Sequence, residues 1–156
     1  MKTGEMRSFG LAMAGAVLGA TLFPTMPLLR AQSGDLSKTR SVAESQHEIV
    51  MILIRKKEFD KAAEEANKIF QMKWPADWEP VLLKELRDFS GQFEKDRQYA
   101  VAVHLLETNL GMFKTTKSKA AIWKEKGYLL EKMGKHDEAL DCFREALRLE
   151  KAGGHP

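Results

Sequence analysis

The sequence has few of the residues that staple or interrupt a fold. Its 156 residues include one cysteine, Cys142, which excludes an internal disulfide and a cysteine-rich zinc site. Only five prolines and eleven glycines occur, so helices meet few breaks. Lys and Arg number 25 against 22 Asp and Glu, and this balance excludes a concentrated nucleic-acid-binding surface. With 44% hydrophobic residues the chain can bury a core, and we expect one all-α domain.

The N-terminal segment carries no charge between Ser8 and Leu29 and has a short charged head before it. The stretch that precedes Pro24 has the length of the hydrophobic region of a secretory signal. We therefore expect residues 1–31 to be a signal peptide that is cleaved after Ala31, which makes the protein periplasmic or secreted. The alternative is a retained signal anchor, because a GxxxG pair in this segment could pack membrane helices. The protein would then be membrane-anchored and face outside the cytoplasm.

The remaining chain divides into a linker, residues 32–40, and a helical domain, residues 41–153, in which one pattern occurs three times. The pattern starts at three origins: Gln46, Leu86 and Trp123. A small or branched residue follows each origin by four positions: Val50, Ser90 and Gly127. An alanine follows each origin by sixteen positions: Ala62, Ala102 and Ala139. A ring side chain stands thirteen positions after each origin: Phe59, Tyr99 and His136.

These spacings have a physical meaning in a helix–turn–helix unit. A small residue four positions after the origin lies on the same helical face and lets the second helix approach closely. Gly134 supplies a left-handed residue that ends the helix before it. Pro80 suits the first turn of the third helix, and a capping box at Ser41 predicts the start of the first. The pattern therefore predicts three helical hairpins.

This pattern resembles the tetratricopeptide repeat family, and the third copy, AAIWKEKGYLLEKMGKHDEALDCFREALRLEKAG, carries the strongest likeness. The three copies cover about 43–76, 83–116 and 120–153. Four positions depart from the family pattern: Gln46, Asn109, Lys126 and Lys151. The resemblance implies three repeats stacked as a short right-handed α-solenoid, which binds a protein or peptide in its concave groove.

The same resemblance implies which side chains line that groove. They are His47, Met51, Ile54, Arg87, Glu94, Lys124, Tyr128 and Glu131. We expect Met51, Ile54 and Tyr128 to anchor a partner, while Arg87 and Lys124 select acidic partners.

The sequence offers no candidate for catalysis, and we expect no enzyme activity, no cofactor and no metal. The four histidines never occur with the spacing of metal ligands. His136 holds the recurring ring position, so we expect it to pack inside the turn. Cys142 has no adjacent base and is typical of a structural thiol. No glycine-rich phosphate loop and no nucleophile elbow occurs.

Three features leave alternatives open. Trp74 and Trp78 either plug the lengthened connection between the first two units or form an exposed anchor for a partner. The first helix is hydrophobic all round over residues 49–54, so either residues 32–40 or another polypeptide covers it. The last unit has no polar capping helix, and exposed apolar residues there could drive self-association. The residues concerned are Ile122, Leu129, Leu140 and Leu147. A self-associating or membrane-anchored assembly factor is therefore the alternative function.

Overall fold

The computed structural model describes residues 26–153, which form six α-helices and two short 3₁₀ turns. The helices are α1 Met26–Arg55, α2 Phe59–Phe70, α3 Glu79–Lys95, α4 Tyr99–Asn109, α5 Thr116–Lys132 and α6 His136–Gly153. The 3₁₀ turns cover Ala76–Trp78, before α3, and Leu110–Met112, after α4. This part of the chain contains no strand, and the predicted all-α class is confirmed.

The helices pack as three consecutive pairs, α1–α2, α3–α4 and α5–α6. Neighbouring pairs join because α2 contacts α3 and α4, and because α5 contacts α3 and α4. One apolar core follows these contacts from Val50 to Leu129, and a smaller cluster surrounds Leu130 in the third pair. Each pair thus buries its own apolar seam and shares the rest with its neighbour.

The turn inside each pair is built on a left-handed residue. Lys57, Arg97 and Gly134 have φ angles of 63°, 57° and 74°. All three lie eleven positions after the origin of their unit. Glycine adopts this conformation without a steric penalty, whereas an L side chain is strained there. The prediction that Gly134 ends its helix in this way is confirmed, and the other two units make the same turn without a glycine.

A close approach of two helices defines the third pair. A Cβ atom added at Gly127 would lie 2.9 Å from the ring carbons Cε1 and Cζ of Phe143 on α6. Val50 and Ser90, at the matching positions of α1 and α3, are fully buried. The small residue therefore has the packing role that the spacing predicts.

The first helix begins earlier than the sequence pattern predicts. Residues 32–40, predicted as a linker, are part of α1, which continues through Ser41 without a cap. Ser45 Oγ donates to the carbonyl oxygen of Ser41 at 3.1 Å, and the Arg40 guanidinium meets the Glu44 carboxylate at 2.9 Å. These i to i+4 contacts satisfy polar side chains within a continuing helix. Residues 32–40 therefore extend α1 and do not fold back over it.

Three of the four departures from the repeat pattern, Gln46, Asn109 and Lys126, have a polar partner on another helix. Gln46 Nε2 donates to Glu65 Oε2 on α2 at 2.5 Å. Asn109, 5% exposed, donates its side-chain amide to Asn67 Oδ1 at 2.7 Å and so links the second pair to the first. Lys126 Nζ lies 2.6 Å from a Glu107 carboxylate oxygen on α4. Polar bonds between helices thus replace apolar contacts at these positions.

Residues 1–25 of the predicted export segment lie outside the described residues, while 26–31 belong to α1. Across the part of the chain that the structure describes, no helix has the length and apolar character needed to cross a membrane.

Candidate functional site

A furrow runs along the surface between α1 and α3. Its first part, which we call the aromatic cavity, has a volume of about 480 Å³. Its walls include Ala43 and His47 of α1 and Val81 and Glu85 of α3, and its floor includes Trp74 and Trp78. The second part, the polar cavity, measures about 300 Å³ and lies farther along the same two helices. It is lined by His47, Met51, Arg87, Gly91 and Lys95, among others.

The floor of the aromatic cavity comes from the connection between α2 and α3. The Trp74 and Trp78 rings stack with their centroids 5.1 Å apart and their planes at 21°. Trp74 Nε1 donates to the carbonyl oxygen of Ile69 at 2.7 Å, which satisfies the indole N–H. Trp74 also packs against the main core, as the plug interpretation predicts. Both rings line the cavity as well, so the same stack closes the connection and presents an aromatic surface.

A histidine–carboxylate contact separates the two cavities. His47 Nδ1 lies 2.5 Å from Glu85 Oε1, and the imidazole ring lies 5.2 Å from the buried ring of Phe89. His47 lines both cavities, so a chain lying along the furrow must pass over this contact. The contact fixes the distance between α1 and α3 at the middle of the furrow.

The two ends of the furrow differ in charge. The aromatic cavity has three carboxylates, those of Glu44, Glu48 and Glu85, around it, and the Arg40 guanidinium is its one permanent cation. Arg40 is already paired with Glu44 at 2.9 Å. The rim of the aromatic cavity is therefore net acidic and favours a cation beside an apolar group.

The polar cavity has mixed charges, and the chain supplies ion-pair partners for two of them, Arg87 and Asp88. Arg87 Nε donates to Glu125 Oε2 on α5 at 3.4 Å, and the same glutamate accepts from Ser90 Oγ at 3.5 Å. Asp88 is paired with Lys84 one turn earlier on α3. Lys95 is a second cation at this end, and its Nζ donates to Gln92 Oε1 at 3.5 Å. Two cations and one carboxylate therefore line the polar cavity, so it favours a cationic ligand less than the aromatic cavity does.

The structure brings together three of the eight predicted groove residues. His47, Met51 and Arg87 line the polar cavity. Ile54 does not line it, because its side chain is 5% exposed and belongs to the main core. The prediction that Ile54 anchors a partner is therefore wrong: it lies one helical turn after Val50, on the face that packs against the core.

The other four predicted residues lie outside both cavities and have contacts of their own. Glu94 is paired with Lys132 of α5, and Lys124 Nζ lies 2.5 Å from Glu150 Oε1 of α6. Tyr128 is 58% exposed, with its ring edge-on to Phe143 at 5.1 Å. Glu131 Oε1 lies 3.0 Å from His136 Nδ1. The predicted groove thus forms a cavity beside α1 and a row of ion pairs along α5.

Two residues outside the furrow, His136 and Cys142, also carry predictions from the sequence. His136 is exposed, with a side-chain exposure of 71%, so the prediction that it packs inside the turn is wrong. Phe59, at the matching position of the first unit, packs against Phe93 of the second unit at 6.4 Å, whereas no unit follows His136 within the described residues. Cys142 is buried, and burial raises the pKa of its thiol, which disfavours the nucleophilic thiolate.

Metal-binding side chains do not cluster in the described residues: 26–153 contain no group of three or more His, Cys, Asp or Glu side chains placed to hold an ion. The side chains that line the furrow offer a ligand hydrogen bonding, ion pairing and aromatic contact.

Sequence reasoning missed Ala43, Val81 and Glu85 as furrow residues. The resemblance places the groove by family positions on the first helix of each unit, and these three lie earlier on their helices than those positions. The tryptophan pair is the available signal, because two aromatic residues beside a proline in a connection mark an irregular packing site.

Comparison with known proteins identifies one part of the chain. Residues 120–151, which cover most of α5 and α6, match the tetratricopeptide repeat family. No curated protein sequence gives a significant match to the chain. The third helical pair is therefore similar to a tetratricopeptide repeat, a unit whose arrays typically bind other proteins on extended concave surfaces.

Proposed function

We propose that this protein is a non-catalytic interaction module of three tetratricopeptide-like units, stacked as a short α-solenoid, that binds a protein or peptide along the furrow. The observation that supports this most strongly is the aromatic cavity, which combines a volume of about 480 Å³ with two stacked tryptophans. Its size suits one large apolar side chain of a partner.

The rim of this cavity indicates the partner's chemistry. Three carboxylates against one guanidinium favour a lysine or arginine next to the anchoring side chain. This differs from the acidic partner expected from the sequence, because Arg87 and Lys124 already contact Glu125 and Glu150. The proposed ligand is an extended peptide segment with an apolar or aromatic residue beside a basic one.

Export remains part of the proposal and rests on the sequence of residues 1–31. It predicts that the protein is recovered outside the cytoplasm, either with the N-terminus removed or still attached to a membrane. The intact mass of the protein recovered from the cell envelope distinguishes these two forms.

The experiment is selection from a displayed library of random dodecapeptides on the full-length chain, followed by titration of the enriched peptides. We expect them to share an apolar or aromatic residue adjacent to Lys or Arg. Val81→Glu, at the exposed wall of the aromatic cavity, should weaken their binding about tenfold, because it places a charge in the apolar site. Leu147→Glu on α6 is the matched control, since the two side chains are similarly exposed, at 53% and 50%.

Two results would overturn the proposal. One is enrichment of acidic peptides, and the other is peptide binding that Val81→Glu leaves unchanged. Circular dichroism and thermal unfolding of both variants show whether a loss of binding reflects a loss of fold.

A further inference from the structure

The interface between α4 and α5 shows how one unit packs on the next. On α5, Ile122 and Leu129 are buried. Val103 of α4 and Leu110 of the 3₁₀ turn after it pack against the same apolar clusters. Between these contacts, Lys126 of α5 pairs with Glu107 of α4 at 2.6 Å. The helices are antiparallel, because Val103 packs near Leu130 while Glu107 meets the earlier Lys126.

The last helix repeats the α4 side of this interface. Leu140, Arg144 and Leu147 occupy the repeat positions of Val103, Glu107 and Leu110. Leu140 and Leu147 are 47% and 50% exposed, because no helix follows them within the described residues. We call these three residues the α6 end face.

The first helix repeats the α5 side. Ser45, Ile49 and Ile52 occupy the repeat positions of Ile122, Lys126 and Leu129. Ile49 and Ile52 are 44% and 46% exposed, and Val42, one turn before Ser45, is 48% exposed. Three large apolar side chains on one exposed helical stripe are uncommon on a monomer surface. We call Val42, Ser45, Ile49 and Ile52 the α1 end face.

Charge also matches the two end faces. In an antiparallel arrangement like that of α4 and α5, the start of α6 lies beside the end of α1. The start of α6 carries exposed Asp137, Glu138 and Asp141, whereas exposed Arg55 ends α1 and exposed Lys56 follows it. Glu138, Asp141 and Lys56 already pair within the chain with Lys135, Arg144 and Glu58, so the charge match rests mainly on Asp137 and Arg55. These two opposite charges meet in the antiparallel orientation.

We propose that the α6 end face of one copy binds the α1 end face of a second copy, in the position that α4 takes against α5. The interface is heterologous, so an assembly of any length keeps one free α1 end face and one free α6 end face and grows head to tail. This inference does not rest on the proposed peptide site, because the α1 end face shares no residue with either cavity.

The test is sedimentation velocity of the full-length chain over a range of concentrations, with two double variants. Ile49→Glu with Ile52→Glu disables the α1 end face, and Leu140→Glu with Leu147→Glu disables the α6 end face. We expect the unmodified chain to form species that grow with concentration. Each double variant should be monomeric, with its apparent dissociation constant raised about tenfold or more.

The decisive sample is an equimolar mixture of the two double variants. Each retains the face that the other lacks, so the mixture should form a one-to-one dimer that neither variant forms alone. Val81→Glu is the matched control, because it adds a charge at a similarly exposed site away from both end faces and should assemble normally. Circular dichroism confirms that the double variants remain helical.

The other results contradict the proposal. A strict monomer at the highest concentration shows that the end faces are covered otherwise, for example by residues 1–25 of the same chain. Association that both double variants retain places the contact elsewhere. Loss in the α1 variant alone indicates a symmetric contact between two copies of α1. A failed peptide selection by a chain that still assembles would contradict the proposed peptide site and leave the assembly proposal standing.

Discussion

The first and third helical pairs reach the same fold with opposite distributions of side-chain volume. Where α5 has Gly127, α6 has the large Phe143. Where α1 has Val50, α2 has Ala66 at the position that corresponds to Phe143, and both are fully buried. The volume lost from one helix is present on the other. The distance between the two helices of a pair therefore depends on the combined volume of the two facing side chains and does not require a glycine.

A substitution at Gly127 should disturb the balance of side-chain volumes in the third pair more than any other change considered. Gly127→Val should lower the free energy of unfolding by about 2–3 kcal/mol, because even an added Cβ would lie 2.9 Å from the Phe143 ring and valine adds two methyl groups beyond it. Chemical denaturation measures the change. The double variant with Phe143→Ala recreates the Val/Ala pair of the first unit and should recover part of the loss. Strictly additive losses would contradict the volume exchange.

The second helical pair differs from the third by a buried hydrogen bond to a neighbouring pair. The position of buried Asn109 is held by Ala146 in the third unit, and only Asn109 donates to another unit, at 2.7 Å from Asn67 Oδ1. Asn109→Ala should lower the free energy of unfolding by about 2 kcal/mol, because it removes this bond and leaves Asn67 half-buried without it. Asn67→Ala is the control. If the double variant loses as much as the two single variants together, the bond contributes nothing of its own.

The sequence predicts the third pair well because glycines occupy the two positions where the backbone conformation or the helix contact is unusual. Gly134 predicts the left-handed turn, and Gly127 predicts the close contact between the two helices. Lys57 adopts the same left-handed conformation without any such signal, since turn geometry is set there by packing on both sides. The same reason hides the start of α1, where Ser41 reads equally well as a cap and as a helix interior residue.

The candidate site is less predictable than the fold, because it depends on how two units are joined. His47, Met51 and Arg87 follow from family positions and do line one cavity. Family positions give no information on the connection before α3. This connection supplies Trp78, which lines the aromatic cavity together with Val81 and Glu85 of α3. Ile54 was misplaced because a helix that is apolar all round does not reveal which face packs on its neighbour.

A third, smaller effect concerns the turn of each pair. Gly134→Arg should destabilise the protein by about 1–2 kcal/mol, since an L side chain is strained at a φ of 74°. Arg97→Gly makes the reverse change at the matching turn and should stabilise by about 0.5 kcal/mol, the relief of strain less the added entropy of the unfolded glycine. Thermal unfolding of both variants gives the two signs. A destabilised Arg97→Gly protein would show that the Arg97 side chain itself stabilises the turn.

The smallest expected effect concerns the connections between helical pairs. The connection from α2 to α3 contains a tryptophan stack, whereas the connection from α4 to α5 is held by the carboxylate of Glu79. Glu79 accepts from the backbone N–H groups of Lys114 and Thr115 and from Thr115 Oγ1, at 2.9, 3.1 and 2.5 Å. Partial burial raises the pKa of Glu79, but these hydrogen bonds outweigh it and hold the pKa at about 2, below the ordinary 4.5.

A lowered folded-state pKa means that the unfolded chain binds the proton more tightly, so this stabilisation is complete above pH 4.5 and is lost as the pH falls toward 2. Solvent screening of this partly exposed carboxylate limits the contribution to about 0.5 kcal/mol. Glu79→Gln should therefore lower stability at pH 7 and flatten its pH dependence between 5 and 2, as measured by denaturation at each pH. Val81→Glu, which changes α3 but leaves the hydrogen bonds of Glu79 in place, should not flatten that dependence. A Glu79→Gln protein with the original acid dependence would show that other carboxylates govern it, and that the second connection is held by packing as the first one is.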